Sequence, residues 1–318
     1  MLGGLEAAAR IYVWKKYGDQ LHGMNWKFMY EPYIQTRTDD RLHQDVPPKS
    51  DAFRILVIGG STASLIPNDL LADAFQSKLN RKVEVINMGQ GAFIMNQERI
   101  TLMLHGMHLK PDLLITLNGA NDIVTASKTL RPGITYSNDF IALGVNRPVV
   151  NGLLGMIRNS QFLNCVNKLR ERQIEGKAQV NEGLLADTVM HCQEALHSMA
   201  TIAKGMDIPY AMVLQPYIHL RSGLKDDERE LADAFAYRGE YMAKGIRTLS
   251  EVLPETEFPG EVFMIDGTKA FDAVEGQCFV DEVHLSEFGN EKLVDYIATA
   301  AIAQGLEPKP SNIATSAQ

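Results

Sequence analysis

From residue 53 onward, short apolar runs alternate with longer amphipathic stretches. Continuous apolar runs of about four to eight residues are typical of strands that are buried on both faces of a sheet. Such runs predict strands at residues 54–58, 83–86, 112–117, 210–214 and 262–265. Helical periodicity predicts helices at residues 68–79, 96–108, 184–204, 226–249 and 287–303. This alternation predicts a three-layer α/β sandwich with a five-stranded parallel sheet.

Three segments depart from the alternation. Residues 1–52 combine a candidate amphipathic helix with an extended connector, which ends at a proline pair. Residues 123–182 separate the third strand from the next predicted helix, and this length predicts an inserted cap rather than a simple connection. Residues 306–318 are rich in Pro, Ser, Ala and Asn and predict a disordered tail. The sandwich domain is therefore expected to span residues 53–305.

The charge balance excludes one class of partner. The chain carries 31 Lys and Arg against 39 Asp and Glu, for a formal net charge of −8, and it has no long basic run. Binding to nucleic-acid phosphates depends on clustered cations. No nucleic-acid partner is therefore predicted.

The N-terminal segment is the candidate for a membrane contact. Leu5, Ala8 and Val13 lie near helical spacing, but Glu6 and Arg10 interrupt the apolar run. A membrane-spanning helix needs about 18 or more predominantly apolar residues. Two alternatives stay open, a helix packed on the main domain or an amphipathic helix associated with a membrane surface. The sequence predicts no export signal and assigns no compartment or oligomeric state.

Ligands of open parallel sheets collect beyond the carboxyl ends of the strands. The residues that follow the predicted strands are therefore the first candidates for a functional site. The blocks are Gly59-Gly60-Ser61 after the first strand, Asn87-Met88-Gly89-Gln90-Gly91-Ala92 after the second, Gly119-Ala120-Asn121-Asp122 after the third, and Asp281-Glu282-Val283-His284 before the last helix. A carboxylate three residues before an imidazole can fold back on the ring and fix its tautomer.

These four blocks, in this order, resemble the SGNH (GDSL-like) hydrolase family over most of residues 53–303. The resemblance implies an SGNH/flavodoxin-like fold and a Ser-His-Asp triad. It implies Ser61 as the nucleophile, His284 as the base and Asp281 as the residue that orients the base. It also implies an oxyanion hole that consists of the Ser61 N–H, an N–H of Gly91 or Ala92, and the Asn121 side chain.

Two positions depart from the family pattern. Gly60 stands where the family name implies an aspartate, which is not a triad residue. In the second block, the spacing from Asn87 puts Ala92 where the family glycine usually falls, with Gly91 one residue earlier. Because a backbone N–H can come from either residue, both stay candidates for the oxyanion donor.

The resemblance implies a serine esterase that acts on an acyl ester. Gln215-Pro216-Tyr217 is similar to a branch of the family tied to acyl or polysaccharide modification, which makes an O-acetyl group on a carbohydrate one expected substrate. Two alternatives stay open. One is an O-acyltransferase that forms the same acyl-enzyme, and the other is a non-catalytic polysaccharide-binding or assembly module with this fold.

No metal site and no cofactor are predicted. His105 and His108 lie three residues apart, but no acidic or cysteine partner is fixed by spacing. Cys165, Cys192 and Cys278 lack the spacing of a disulfide framework or a thiolate metal site. The glycine patterns of nucleotide-binding loops are also absent from the sequence.

Overall fold

The computed structural model describes residues 29–135 and 181–307, together with the single helical positions Ile11 and Val166. The predicted N-terminal helix, most of the predicted cap (residues 136–180) and nearly all of the predicted tail lie outside the described residues. No helix within the described ranges is long and apolar enough to cross a membrane.

Five parallel strands form the central sheet. They are β3 (Phe53–Gly59), β4 (Val83–Asn87), β5 (Leu113–Asn118), β6 (Tyr210–Leu214) and β7 (Val262–Asp266), after a small antiparallel hairpin of β1 (Met29–Glu31) and β2 (Gln35–Arg37). The order across the sheet is β4-β3-β5-β6-β7, and every neighbouring pair is parallel. This is the doubly wound order of flavodoxin-like folds. The predicted fold class is confirmed.

Helices cover both faces of the sheet. They are α1 (Ser61–Ser64), α2 (Asn68–Leu79), α3 (Met95–Thr101), α4 (Ala120–Thr129), α5 (Glu182–Gly205), α6 (Asp226–Ala234), α7 (Ala236–Val252) and α8 (Glu287–Ala303). A π turn (Leu102–Gly106) and a 3-10 turn (Met107–Leu109) extend α3.

The two faces of the sheet build two separate cores. Successive side chains of a strand point to opposite faces. Leu56 and Ile58 of β3 join a buried cluster that includes residues of α3, α5 and α7. Ile55 and Val57 of the same strand join a second cluster, which includes residues of α2 and α8. The continuous apolar runs in the sequence therefore reflect burial on both faces.

Two helix predictions need correction. The segment 123–182 does not separate β5 from the next helix, because α4 begins at Ala120, directly after β5, and buries Ile123 and Ala126. The first part of the predicted cap therefore belongs to the helical layer. The predicted helix 226–249 is divided at Phe235, whose φ of −108° and ψ of 9° are not helical.

The predicted extended connector is also more ordered than expected. The hairpin β1–β2 and a 3-10 turn (Arg41–His43) lie within it. Ile34, at the tip of the hairpin, is fully buried, and its carbonyl accepts a hydrogen bond of 2.9 Å from Gln97 Nε2 of α3. The strands have only three residues each, and contacts with the sandwich stabilise them.

Candidate active site

Ser61 lies at the turn between β3 and α1, with 7% of its surface exposed. Two glycines precede it because other groups approach their backbone closely. A Cβ on Gly59 would lie 2.6 Å from the Ala63 Cβ, and a Cβ on Gly60 would lie 2.2 Å from Asn121 Nδ2. The glycine at position 60, where the family name implies aspartate, therefore leaves room for the Asn121 amide.

The loop that carries His284 folds back on itself before α8. Phe279 and Leu285 form an antiparallel bridge, and the Val280 N–H donates a 2.9 Å hydrogen bond to the His284 carbonyl. At the start of the loop, the buried Glu228 carboxylate accepts hydrogen bonds from the Cys278 N–H (2.8 Å) and the Phe279 N–H (3.1 Å).

The side chains of Ser61, His284 and Asp281 form one hydrogen-bonded chain. Ser61 Oγ lies 2.7 Å from His284 Nε2, and His284 Nδ1 lies 2.6 Å from Asp281 Oδ2. The other carboxylate oxygen of Asp281 accepts from the Val283 N–H (2.8 Å) and the His284 N–H (2.7 Å). The predicted D-x-x-H spacing thus lets the carboxylate bind both the ring and the backbone of the same loop.

The ionisation of Asp281 sets the proton arrangement of this chain. Burial alone would raise the pKa of Asp281, but the hydrogen bonds and charge of His284 and the backbone N–H of Val283 outweigh it and lower that pKa. An ionised carboxylate only accepts hydrogen bonds, so His284 Nδ1 carries the proton. Nε2 is then the acceptor for the Ser61 hydroxyl.

Residues that flank the hydrogen-bonded side chains of Ser61, His284 and Asp281 fix their position. Thr62 Oγ1 donates a 3.3 Å hydrogen bond to the Val283 carbonyl and accepts one of 3.3 Å from Gln215 Nε2. The Ile218 N–H donates to the Glu282 carbonyl at 3.1 Å, and Arg238 Nε donates to the Glu282 carboxylate at 3.1 Å. The turn that carries Ser61 and the loop that carries His284 are therefore joined to each other and to the segment after β6.

The segment Gln215-Pro216-Tyr217 packs inside the domain, next to the turn that carries Ser61. All three residues are buried, with Gln215 3% exposed and Tyr217 1% exposed. The Gln215 N–H also continues the sheet by donating to the Asn118 carbonyl at 3.0 Å. The segment whose similarity to a family branch suggested a carbohydrate substrate is therefore packed inside the domain.

The loop after β4 distinguishes the two candidate oxyanion amides. The Gly91 N–H donates a 2.9 Å hydrogen bond to Thr38 Oγ1, whereas the Ala92 N–H has no acceptor among the residues that the structure describes. Ala92 has a φ of 59°, in the left-handed region that favours glycine. This conformation gives a physical reason for a family glycine at this position. The geometry favours Ala92 over Gly91 as a donor.

Asn121 lies on the first turn of α4, and its amide is close to Gly60, the residue before Ser61. Gly119 precedes the helix with a φ of 116°, which an L side chain rarely adopts. One N–H of the Asn121 amide donates to the Phe93 carbonyl at 2.8 Å. An amide nitrogen carries two hydrogens, so this bond orients the group and leaves a second donor.

Two buried carboxyl groups lie behind Asn121. The Asp122 carboxylate accepts from the Met95 N–H at 3.1 Å, at the start of α3. Glu98 accepts from Asn118 Nδ2. Burial and then the charge of Asp122 raise the pKa of Glu98 well above its ordinary value. Asp122 thus joins α4 to α3 and forms no hydrogen bond with Ser61 or His284.

The titration of Asp122 predicts a pH-dependent stability. Burial raises the pKa of Asp122 to about 7, and the hydrogen bond from the Met95 N–H only partly offsets this. An unfolded aspartate has a pKa of about 3.9. The folded protein therefore binds this proton more tightly, and Asp122 lowers the free energy of unfolding as the pH rises from about 4 to about 7.

Asp122→Asn is expected to remove this loss, since the amide keeps an acceptor for the Met95 N–H without a charge. Its Tm relative to wild type should rise between pH 5 and pH 8. Thermal unfolding of both proteins across this range measures the effect, with Asp73→Asn on the exposed side of α2 as the control. A Tm difference that stays constant with pH would contradict the assignment.

The predicted absence of a metal site concerns His105 and His108. His105 lies with its ring edge against the His43 ring, the centroids 5.7 Å apart. Burial, and then the charge of His43, lower the pKa of His105. Within residues 29–135 and 181–307, no three His, Cys, Asp or Glu residues form a group that could hold a metal ion.

Comparisons with known proteins give likenesses of fold. No family model and no curated protein matches the chain. A protein described as a GDSL-like lipase from Parabacteroides merdae is 13% identical, with 81% of this chain and 98% of that chain covered and a TM-score of 0.45. Axe2, an acetylxylan esterase from Geobacillus stearothermophilus, is 14% identical, with 81% and 96% covered and a TM-score of 0.43.

A protein described as an acylhydrolase from Bacteroides fragilis is 14% identical, with 83% of this chain and 93% of that chain covered and a TM-score of 0.44. The sheet order, the three blocks that follow strands and the fourth block before α8 are those of an SGNH/flavodoxin-like fold, so the predicted resemblance is confirmed at the level of fold.

Sequence reasoning missed the residues that hold the loop after β4. Thr38 and Gln90 are hydrogen-bonded although 52 positions separate them. Thr38 lies in the segment that was expected to be an extended connector. No local pattern could have found this pair, because its partners come together only when the hairpin packs on the sandwich.

Proposed function

We propose that this protein is a serine esterase that hydrolyses an acyl ester through Ser61, His284 and Asp281. The observation that carries the proposal is the continuous hydrogen-bonded chain, in which Ser61 Oγ is 2.7 Å from His284 Nε2 and His284 Nδ1 is 2.6 Å from Asp281 Oδ2. A serine hydroxyl becomes an effective nucleophile when a base at this distance accepts its proton.

The proposed reaction has two stages. Ser61 Oγ attacks the acyl carbonyl carbon as His284 Nε2 takes the hydroxyl proton, and the tetrahedral intermediate collapses when His284 returns that proton to the leaving alcohol. Water then attacks the acyl-enzyme with the same base, and the acid is released. Asp281 stays ionised and stabilises the imidazolium that forms in each stage.

Three donors are proposed for the oxyanion. The Ser61 N–H is the first of α1 and has no acceptor within that helix. The Ala92 N–H is the second, since the Gly91 N–H already donates to Thr38. The remaining N–H of Asn121 is the third. Donors fixed in advance stabilise the negative charge of the intermediate without reorganisation.

The deciding experiment measures turnover by the purified full chain. A panel of nitrophenyl esters of increasing acyl length and of acetylated mono- and oligosaccharides should reveal acid release, detected by mass spectrometry. An esterase releases free acid from at least one of these substrates. Turnover of none of them, together with no covalent adduct on Ser61, would overturn the proposal in favour of a non-catalytic binding module.

The same panel separates hydrolysis from acyl transfer. Added acceptor sugar competes with water for the acyl-enzyme, so a transferase would give acylated sugar in preference to free acid. We expect free acid as the main product at all acceptor concentrations. The O-acetylated sugars in the panel test the carbohydrate substrate class against simple alcohols.

Asn121→Ala is expected to lower kcat by about 100-fold or more while KM changes little. The reason is that its amide would meet the oxyanion mainly in the transition state. Steady-state kinetics and Tm are measured on the same preparation. If kcat is unaltered and only the Tm falls, Asn121 is a turn residue and is removed from the proposed oxyanion hole.

A further inference from the structure

The polypeptide after the hairpin, residues 38–41, contacts two of the loops that supply the proposed oxyanion donors. We call this segment the N-terminal brace. We propose that Thr38 in the brace is a positioning residue, which holds the peptide at Gly91 so that the Ala92 N–H faces the oxyanion. This inference rests on the proposed esterase function and adds a part of the chain outside the sandwich to its machinery.

The hydroxyl of Thr38 has a defined place in a buried network. Thr38 Oγ1 accepts the Gly91 N–H at 2.9 Å and donates to Gln90 Oε1 at 3.0 Å. Gln90 is fully buried, and its Oε1 also accepts from the Thr38 N–H (2.7 Å) and the Asp39 N–H (3.2 Å). Gln90 Nε2 donates to Asp39 Oδ1 at 2.8 Å. Five hydrogen bonds therefore join Thr38 and Asp39 of the brace to Gln90 and Gly91 of the loop after β4.

The loop after β4, which carries Ala92, needs such support because its own residues do not favour its conformation. Gly91 has no side chain and has access to a wide range of backbone angles. Ala92 has a φ of 59°, which is an unfavourable region for a residue with a Cβ. The hydrogen bond from the Gly91 N–H to Thr38 Oγ1 therefore helps to hold the loop in a conformation that Ala92 alone does not favour.

The brace also contacts the turn that carries Ser61. Arg41 Nη1 donates to the Ser64 carbonyl at 2.6 Å, at the end of α1, and Arg41 Nε lies 3.1 Å from Asp39 Oδ2. One short segment is thus bonded to the turn that carries Ser61 and to the loop that carries Ala92. It sets the separation of two proposed oxyanion donors that come from different strands.

Thr38→Val tests the inference because it removes the hydroxyl and nearly keeps the shape. Its kcat should fall by about 10- to 100-fold with little change in KM, since misplaced donors weaken transition-state binding. Its Ki for a short-chain alkylboronic acid, which forms a tetrahedral adduct on serine, should rise by a similar factor. Thr38→Ser keeps the hydroxyl and should retain most of the activity.

Rates are expressed per active site, titrated with a fluorophosphonate probe, so that loss of folded protein does not count as loss of catalysis. If Thr38→Val lowers only the Tm, with kcat per site and the boronate Ki unchanged, the inference is overturned and the esterase proposal stands. If wild type neither turns over substrate nor binds the boronate, the esterase proposal fails, and the inference fails with it.

Arg41→Ala is the second variant, for the case in which Thr38→Val does not fold. The Arg41 side chain is about one-third exposed, so its loss is easier to tolerate. It should also lower kcat per site and raise the boronate Ki, by a smaller factor than Thr38→Val. Unchanged values of both in Arg41→Ala would overturn the inference that the brace sets the separation of the two donors.

Discussion

Ser61→Ala is expected to lower kcat by about 10⁴-fold or more and to abolish covalent labelling by a fluorophosphonate probe. The reason is the 2.7 Å contact with His284 Nε2, which gives Ser61 a base within hydrogen-bond distance. Only a serine with such a base reacts readily with the probe. Intact-mass analysis should therefore show a single adduct on wild type and none on the variant.

The matched control is Ser77→Ala. Ser77 is an exposed serine of α2. Its hydroxyl donates to the Ala74 carbonyl at 2.9 Å, so its hydrogen bond goes to the backbone and not to an imidazole. This variant should label as wild type does. Labelling that persists in Ser61→Ala would place the nucleophile elsewhere, and the proposed mechanism would then be wrong.

The sheet could be predicted from sequence because its central strands β3, β5 and β6 are buried along their whole length. The predicted strand 210–214 and the predicted helices 68–79 and 287–303 agree with the structure residue for residue. Tyr210, Met212 and Leu214 enter one core, and Ala211 and Val213 enter the other. An uninterrupted apolar run is the direct result of that alternation.

The helix α4 could not be predicted from the same kind of signal. Its buried positions include Asp122, Thr125 and Ser127, which are polar, beside Ile123 and Ala126. An apolar stripe is therefore weak in the sequence, and the length of the segment predicts an insertion instead. The Asp122 carboxylate accepts the Met95 N–H, and the Ser127 hydroxyl donates to the Val124 carbonyl, so these buried polar groups have partners.

The candidate site also has a part that could be predicted from the sequence and a part that could not. The candidate catalytic residues stand in short blocks, after three of the strands and before the last helix, where a family resemblance can find them. Their supports, such as Thr62, Gln215 and Glu228, form bonds to residues far away in the sequence. Such contacts depend on the packed fold, and single residues of these types carry no local pattern.

Asp281→Asn is expected to lower kcat by about 10⁴-fold while the fold and KM change little. The direction follows from the local hydrogen bonds. One carboxylate oxygen accepts two backbone N–H groups, from Val283 and His284, and the other faces His284 Nδ1. In the asparagine variant, the carbonyl oxygen must face the two N–H donors, which turns the NH₂ group toward Nδ1.

An NH₂ group at that place requires His284 Nδ1 to be the acceptor, so the ring proton moves to Nε2. The imidazole then presents a donor to Ser61 and cannot take its proton. Kinetics give kcat and KM, and nitrogen NMR of labelled histidine reports the tautomer directly. Asp295→Asn, which removes an exposed partner of Lys78, is the control and should be fully active. Activity of Asp281→Asn within about tenfold of wild type, with Nε2 still unprotonated, would show that the carboxylate does not set the tautomer.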